Sequence, residues 1–266
     1  MEFGGHAECL LHRFQSLNDL LDRRAILDDE AEPHEEPPAV KIVELRAVDD
    51  VAALVGEQAR NRGHDAAGRL AAIDDNKRAL DEAAALGAEC LVLVAGGLPK
   101  DSRDIDAARQ MVSDGLAAIL PHARACRVPL AIEPLHPMYA GDRACINTLA
   151  QALDLCDLLG DGTGVAIDTY HVWWDPALAT QIARAGAANR ILAYHICDWL
   201  VPTRDLLTDR GMMGDGVINL PHIRTLVRNA GYRGITEVEI FSAENWWKRP
   251  GDEVLRTCVE RFNTVS

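Results

Sequence analysis

From about residue 67 onward the chain alternates between long stretches in which apolar residues recur every three or four positions and short runs that are apolar at nearly every position. The first pattern is that of helices with one buried stripe, the second that of strands covered on both faces. The short runs are Cys90 to Ala95, Pro129 to Glu133, Val165 to Asp168, Ile191 to Ile196 and Thr236 to Phe241. Around them the helical pattern covers about 67 to 86, 105 to 125, 145 to 159, 176 to 187, 220 to 230 and 251 to 263. The punctuation agrees with the periodicity: Asp175-Pro176 reads as an N-cap followed by proline at the first helical position, and Gly87, Gly160 and Gly231 stand where a left-handed C-terminal residue is wanted. Strands alternating with helices are the rhythm of parallel strands joined by crossover helices, which predicts an α/β fold, a (β/α)8 barrel of the TIM type with the five clear runs as its fourth to eighth strands.

The first 66 residues break this rhythm. Asp28 to Pro38, DDEAEPHEEPP, is acidic and proline-containing and reads as an exposed linker, and only Val40 to Ala47 resembles a strand. Three βα units of about 30 residues each do not fit into so short a stretch. The expectation is therefore an atypical, partly linker-like segment over 1–66 and a barrel portion over 67–266, in one domain overall. Early strands would be missing, rearranged or supplied by another chain, and the exposed edges of such an open wall would promote homo-oligomerisation.

Composition narrows the function. A length of 266 residues is that of one barrel, which typically takes about 250. The net charge of −14, from 41 acidic against 27 basic residues, repels phosphate and argues against a nucleic-acid partner. No apolar run approaches the roughly 20 residues of a bilayer span, so no membrane role is expected. The opening MEFGGHAECLLHRF lacks the basic and apolar regions of a secretory signal, and the seven cysteines stand singly without a C-x-x-C pair. A reduced, cytoplasmic setting follows.

Four successive strands end in a residue able to bind a cation: Glu133 before Pro134, Asp168 before Thr169, His195 before Ile196 and Glu239 before Ile240. In a parallel barrel the C-terminal strand ends converge on one face, so residues far apart in sequence meet in a small volume. One such residue alone is as readily a helix N-cap or a loop acceptor. Four in succession point to a shared ion, because buried carboxylates cost several kcal/mol unless paired or metal-bound. Three carboxylates and one imidazole suit one divalent ion, Mn²⁺ or Mg²⁺ first, with Co²⁺ or Zn²⁺ also accommodated. Glu237, two residues before Glu239 and on the same strand face, is a rival for the fourth position.

The segments Ala131-Ile132-Glu133-Pro134, Ile167-Asp168-Thr169-Tyr170-His171, Tyr194-His195-Ile196-Cys197-Asp198, Gly214-Asp215-Gly216 and Gly231-Tyr232-Arg233-Gly234, with Glu237-Val238-Glu239-Ile240, resemble the xylose isomerase-like sugar phosphate isomerase/epimerase superfamily over about residues 65 to 263. The resemblance implies a (β/α)8 barrel whose metal is held by a Glu on the fifth strand, an Asp on the sixth, a His on the seventh and a Glu on the eighth, which fall on Glu133, Asp168, His195 and Glu239. The family pattern ending in Glu-Ile-Phe favours Glu239 over Glu237. It also implies that Glu133 and Glu239 exchange protons with the substrate and that His171 sits beside the site.

The chemistry that follows is isomerisation or epimerisation of a small sugar or related hydroxy-carbonyl compound. A proton α to a carbonyl is weakly acidic, and a cation on the carbonyl and adjacent hydroxyl oxygens stabilises the enediolate left when a carboxylate removes it. Arg210 and His171 are candidates to bind substrate oxygens, His136 to line the pocket, and Asp198 to serve the substrate site by orienting His195 or a neighbouring loop. Trp173, Trp174, Trp199, Trp246 and Trp247 follow strand ends, where aromatic faces pack on sugar C–H surfaces or simply anchor loops. Two other readings share the scaffold: a dehydratase or lyase on the same metal, and an inactive barrel that binds a ligand. An endonuclease IV-like role would need further histidines and a basic face, and neither is visible.

Overall fold

The computed structural model describes residues 40–41, 66–99 and 101–266. Its strands are β1 (Val40–Lys41), β2 (Leu91–Val94), β3 (Leu130–Glu133), β4 (Thr163–Asp168), β5 (Ile191–Ile196), β6 (Asp198–Trp199), β7 (Arg210–Gly211) and β8 (Thr236–Val238). Its helices are α1 (Ala66–Ala85), α2 (Ile105–Cys126), α3 (Leu149–Leu159), the single turn α4 (Thr169–Val172), α5 (Leu178–Ala187), α6 (Leu220–Asn229) and α7 (Gly251–Thr264). The five expected strands and six expected helices all form. No helix among the described residues is long and apolar enough to cross a membrane.

Six strands make one parallel sheet in the order β1-β8-β5-β4-β3-β2, with Val40 opposite Thr236 and Leu91 opposite Leu130. The first strand thus lies beside the last, as a barrel requires. Among the described residues, β1 and β2 are the two ends of the sheet. The remainder of the expected Val40 to Ala47 strand, the acidic stretch and the rest of 1–66 apart from Ala66 lie outside the described residues.

The alternation of strand side chains explains the two layers of the molecule. Leu130, Ile132, Val165, Ile167, Tyr194 and Ile196 point outward and merge with Leu116, Ile119, Leu149, Leu153, Ile182, Ile223 and Phe262 of the surrounding helices into one core. On the opposite face Ala131, Ala166 and Ala193 form a layer of small side chains with Cys90, Val92 and Leu192. Two residues further along each strand, that inner face carries Glu133, Asp168 and His195.

Local signals set most boundaries. Asp104 Oδ1 accepts from Asp106 N and Ala107 N at the start of α2, and Thr148 and Asn219 cap α3 and α6 in the same way. Gly87, Gly160 and Gly231 take positive φ where the pattern asked for it. Asp175-Pro176 corrects one expectation: Asp175 Oδ1 accepts from Ala177 N, closing a separate turn, and α5 starts at Leu178 with no side-chain cap. The last strand is also shorter than expected. It leaves the ladder after Val238 because the chain turns to meet a two-stranded ribbon, with Arg210 N bonded to Phe241 O and Asp209 bridged to Ser242.

Candidate metal centre

Adjacent strands put the inner-face residues in line, with Asp168 opposite His195 and His195 opposite Glu237. The β4–β5 alignment depends on an irregularity. Val165 pairs with Ile191 but Ala166 pairs with Ala193, so β5 carries one extra residue, Leu192, and the register shifts there. Without that bulge a slip of one residue would turn His195 to the other face. Gly164 makes room for it: a Cβ at this position would stand 2.5 Å from Arg190 O and 2.6 Å from Leu192 Cγ.

Beyond the ladder, Glu239 N still donates to Ile196 O, which brings Glu239 level with the other three. Glu133, Asp168, His195 and Glu239 each offer a ligating atom, all within 4.8 Å of one another. Glu237, though opposite His195 on the ladder, is not a member of that group. His195 Nδ1 lies 3.4 Å from Glu133 Oε1 and 3.6 Å from Glu239 Oε2. These three atoms are buried and make no hydrogen bond. They are held by charge alone, with Arg210 Nη1 also 3.2 Å from Glu239 Oε2, and buried polar atoms without a hydrogen bond are costly. The donor set of three carboxylates and one imidazole fits a divalent cation there.

Burial and charge compete at each member. Burial opposes an imidazolium at His195, yet the Glu133 carboxylate beside it, with Glu239 and Glu237, pushes its pKa up to about 10. Burial raises Asp168 well above the usual carboxylate range despite the pull of Arg210. Glu239 is also penalised by burial, but the charges of Arg210 and His195 hold it below its ordinary value.

Arg210, from β7, is the cation already inside the cluster. Its Nη1 lies 3.0 Å from Asp168 Oδ2 and 3.2 Å from Glu239 Oε2. The guanidinium is clasped between two aromatic faces, 4.5 Å from the Tyr170 ring centre and 4.7 Å from that of Phe241. Neither aromatic was singled out in the sequence, although both stand in the strand-end segments quoted above. Tyr170 is further fixed by its hydroxyl, which donates to Leu206 O at 3.0 Å.

His171, on α4, is buried beside Arg210, with Nε2 3.2 Å from Arg210 Nη2 and 3.7 Å from Asp168 Oδ2. Its Nδ1 faces His136 N at 3.2 Å, so both ring nitrogens stand against N–H donors. Burial and the Arg210 charge hold its pKa well below the ordinary value. His136 is half-buried: its Nδ1 caps Met138 N, and its ring stacks on Trp199 with centres 4.9 Å apart. Trp174 meets His136 edge-to-face, and Trp173 packs on Trp199. Trp246 is instead a loop anchor, its Nε1 donating to Asp215 Oδ2, and Trp247 is exposed.

Of the two roles expected of Asp198, orienting His195 or a neighbouring loop, its contacts are those of the second. Its Oδ1 accepts from Trp199 N and Ile218 N, and its Oδ2 from Gly214 N and Gly216 N, all at 2.8–3.0 Å. Four backbone donors fill the carboxylate, which folds the 211–218 loop and reaches neither His195 nor the cation site. Gly216 must be glycine for this, since a Cβ would fall 2.1 Å from Trp199 O.

A Glu–Asp–His–Glu set at the C-terminal ends of parallel barrel strands narrows the choice of relatives, and residues 51–258 match the family model of the xylose isomerase-like TIM barrel. The chain belongs to that family. It is similar to the crystal structure of a protein from Sinorhizobium meliloti 1021 at 72% identity and a TM-score of 0.75, covering 76% of this chain and 74% of that one. It shares the fold of the IolI protein with a bound zinc atom, at 22% identity and a TM-score of 0.65, covering 76% and 71% of the two chains. An inosose isomerase of Bacillus velezensis is 28% identical over 133 residues, 48% of this chain and 46% of that protein. The chain thus spans about half the length of the inosose isomerases it matches. In this xylose isomerase-like barrel the four strand-end residues bring their ligating atoms within 4.8 Å of one another, and Arg210 and His171 lie beside Asp168.

Proposed function

We propose that Glu133, Asp168, His195 and Glu239 hold one divalent cation and that the protein isomerises or epimerises a small hydroxy-carbonyl compound, a sugar or a keto-polyol of the inosose kind. The observation that carries this is the convergence of Glu133 Oε1 and Glu239 Oε2 on His195 Nδ1 with no hydrogen bond made by any of the three. Mn²⁺ or Mg²⁺ suits the oxygen-rich donor set, with Zn²⁺ and Co²⁺ also compatible, and the zinc in IolI supports a divalent ion. When bound, the cation supplies Lewis acidity to the carbonyl and neighbouring hydroxyl oxygens.

The chain's own residues do the rest. Glu133 or Glu239 removes the proton α to the carbonyl and the other returns one, from the opposite face or at the adjacent carbon. Arg210 donates to substrate oxygens and holds the developing oxyanion, and His171 positions the guanidinium beside it. Trp199, Trp173 and Trp174 present aromatic surface to substrate C–H groups and exclude water. The similarity to inosose isomerase supports a cyclic keto-polyol as the first substrate to try.

The test is NMR in D₂O of the Mn²⁺-loaded protein with an inosose. Solvent deuterium at the α carbon without loss of water supports isomerisation. Loss of water to a dehydrated product would move the protein to the lyase reading.

A further inference from the structure

Away from the strand ends a second set of ligand-type side chains meets on two neighbouring helices: Asp81 of α1 with His122 and Cys126 of α2. His122 and Cys126 are four apart, one turn along the same helix face, the spacing at which two helical side chains can share an ion. Asp81 Oδ1 lies 2.8 Å from His122 Nε2 and 3.5 Å from Cys126 Sγ. One ligating atom from each residue falls within 4.8 Å of the other two.

An Asp–His ion pair explains two of the three. It does not explain a thiol aimed at the same carboxylate oxygen, and that thiol changes the chemistry of the set. Imidazole, thiolate and carboxylate are the donors of zinc sites, softer than the oxygen-rich centre at the strand ends. A tetrahedral ion with bonds of about 2.0 to 2.3 Å spaces its ligands by roughly 3.3 to 3.8 Å. The observed sulfur–oxygen separation is already in that range, and the exposed Asp81 side chain can open the shorter one by rotating. His122 and Cys126 are half-buried at the rim, so an ion can enter from solvent.

We propose that Asp81, His122 and Cys126 form a second cation site, for Zn²⁺ or a comparable borderline-soft ion, with water as the fourth ligand, and that the ion clamps α1 to α2. Binding transfers the Cys126 proton to solvent as the sulfur–metal bond forms. α1 is the first described helix after the N-terminal segment, and the clamp would fasten it to the body of the barrel.

The experiment is titration of the full-length, reduced protein with Co²⁺, read in the thiolate-to-cobalt charge-transfer absorption, to which a site of carboxylates and imidazole contributes nothing. The wild type is expected to develop the band and to lose it to competing Zn²⁺. Cys126→Ser should abolish it, and His122→Ala and Asp81→Ala should each weaken Co²⁺ binding at least tenfold, with folds unchanged by circular dichroism. No thiolate band at millimolar Co²⁺, a band that survives Cys126→Ser, or undiminished affinity in His122→Ala each overturns the proposal.

Discussion

Asp168 and His195 stand opposite each other on the inner face of the sheet because β5 carries one residue more than β4 can match, and that residue, Leu192, is accommodated by Gly164. The geometry of the centre thus rests on a glycine that touches none of its members. Gly164→Ala would push a methyl group into Arg190 O and the Leu192 side chain. It should cost about 3 kcal/mol in urea unfolding and weaken metal binding in parallel. A variant with an unchanged midpoint would show that the bulge does not need this space.

Glu133→Gln and Glu239→Gln each remove one member of the acid–base pair while keeping its volume. Each should lower turnover by roughly 10²- to 10⁴-fold in assays with saturating metal. Activity retained in both would end the assignment of these two residues as proton carriers.

Arg210 offsets the charge of Asp168 and Glu239 from a fully buried position. Arg210→Met leaves those carboxylates facing each other and should destabilise the metal-free protein by about 3 to 5 kcal/mol. Saturating Mn²⁺ should then raise the melting temperature more in the variant than in the wild type, because the ion takes over the neutralisation. An equal or smaller metal-induced shift in the variant would contradict this.

His195 gives the pH dependence. Its pKa in the metal-free fold is raised to about 10, so at pH 7 to 9 the ring is an imidazolium and must lose a proton before it can bind an ion. Calorimetry in buffers of different ionisation enthalpy should find about one proton released per ion, and affinity should gain about tenfold for each pH unit over that range. The sign for stability is opposite. The contribution of His195 to the metal-free protein is complete below the unfolded value of about 6.5 and is lost as pH rises through about 10. Binding without proton release would place the ion elsewhere.

Much of this was legible in the sequence because parallel strands impose a simple rule. Each strand is a short apolar run, its polar end residue lies at one end of the sheet, and consecutive ends converge, so Glu133, Asp168 and His195 could be read off one after another, while the choice of Glu239 over Glu237 came from the family resemblance. What surrounds them was harder to read. Arg210 comes from a ribbon of two-residue strands, too short for any alternation to show, and it is carried into the cluster by the pairing of Asp198 with Gly211 and Trp199 with Arg210 together with the bond from Arg210 N to Phe241 O. α4 is one turn long and has no periodicity of its own; its start is fixed by Asp168 Oδ1 accepting from Tyr170 N. Asp198 follows His195 closely, which leaves His195 and a loop as equal candidates for its carboxylate, and the choice is made by three of its four backbone donors, which lie 16 to 20 residues downstream in a glycine-rich loop.

The central claim is tested most directly by growing crystals with Mn²⁺ and measuring anomalous diffraction at the manganese edge. The account predicts a peak bonded to Glu133, Asp168, His195 and Glu239 at about 2.0 to 2.3 Å, absent in Asp168→Asn. A fully loaded crystal with no peak among those four side chains, or with the ion held by a different set, would contradict it.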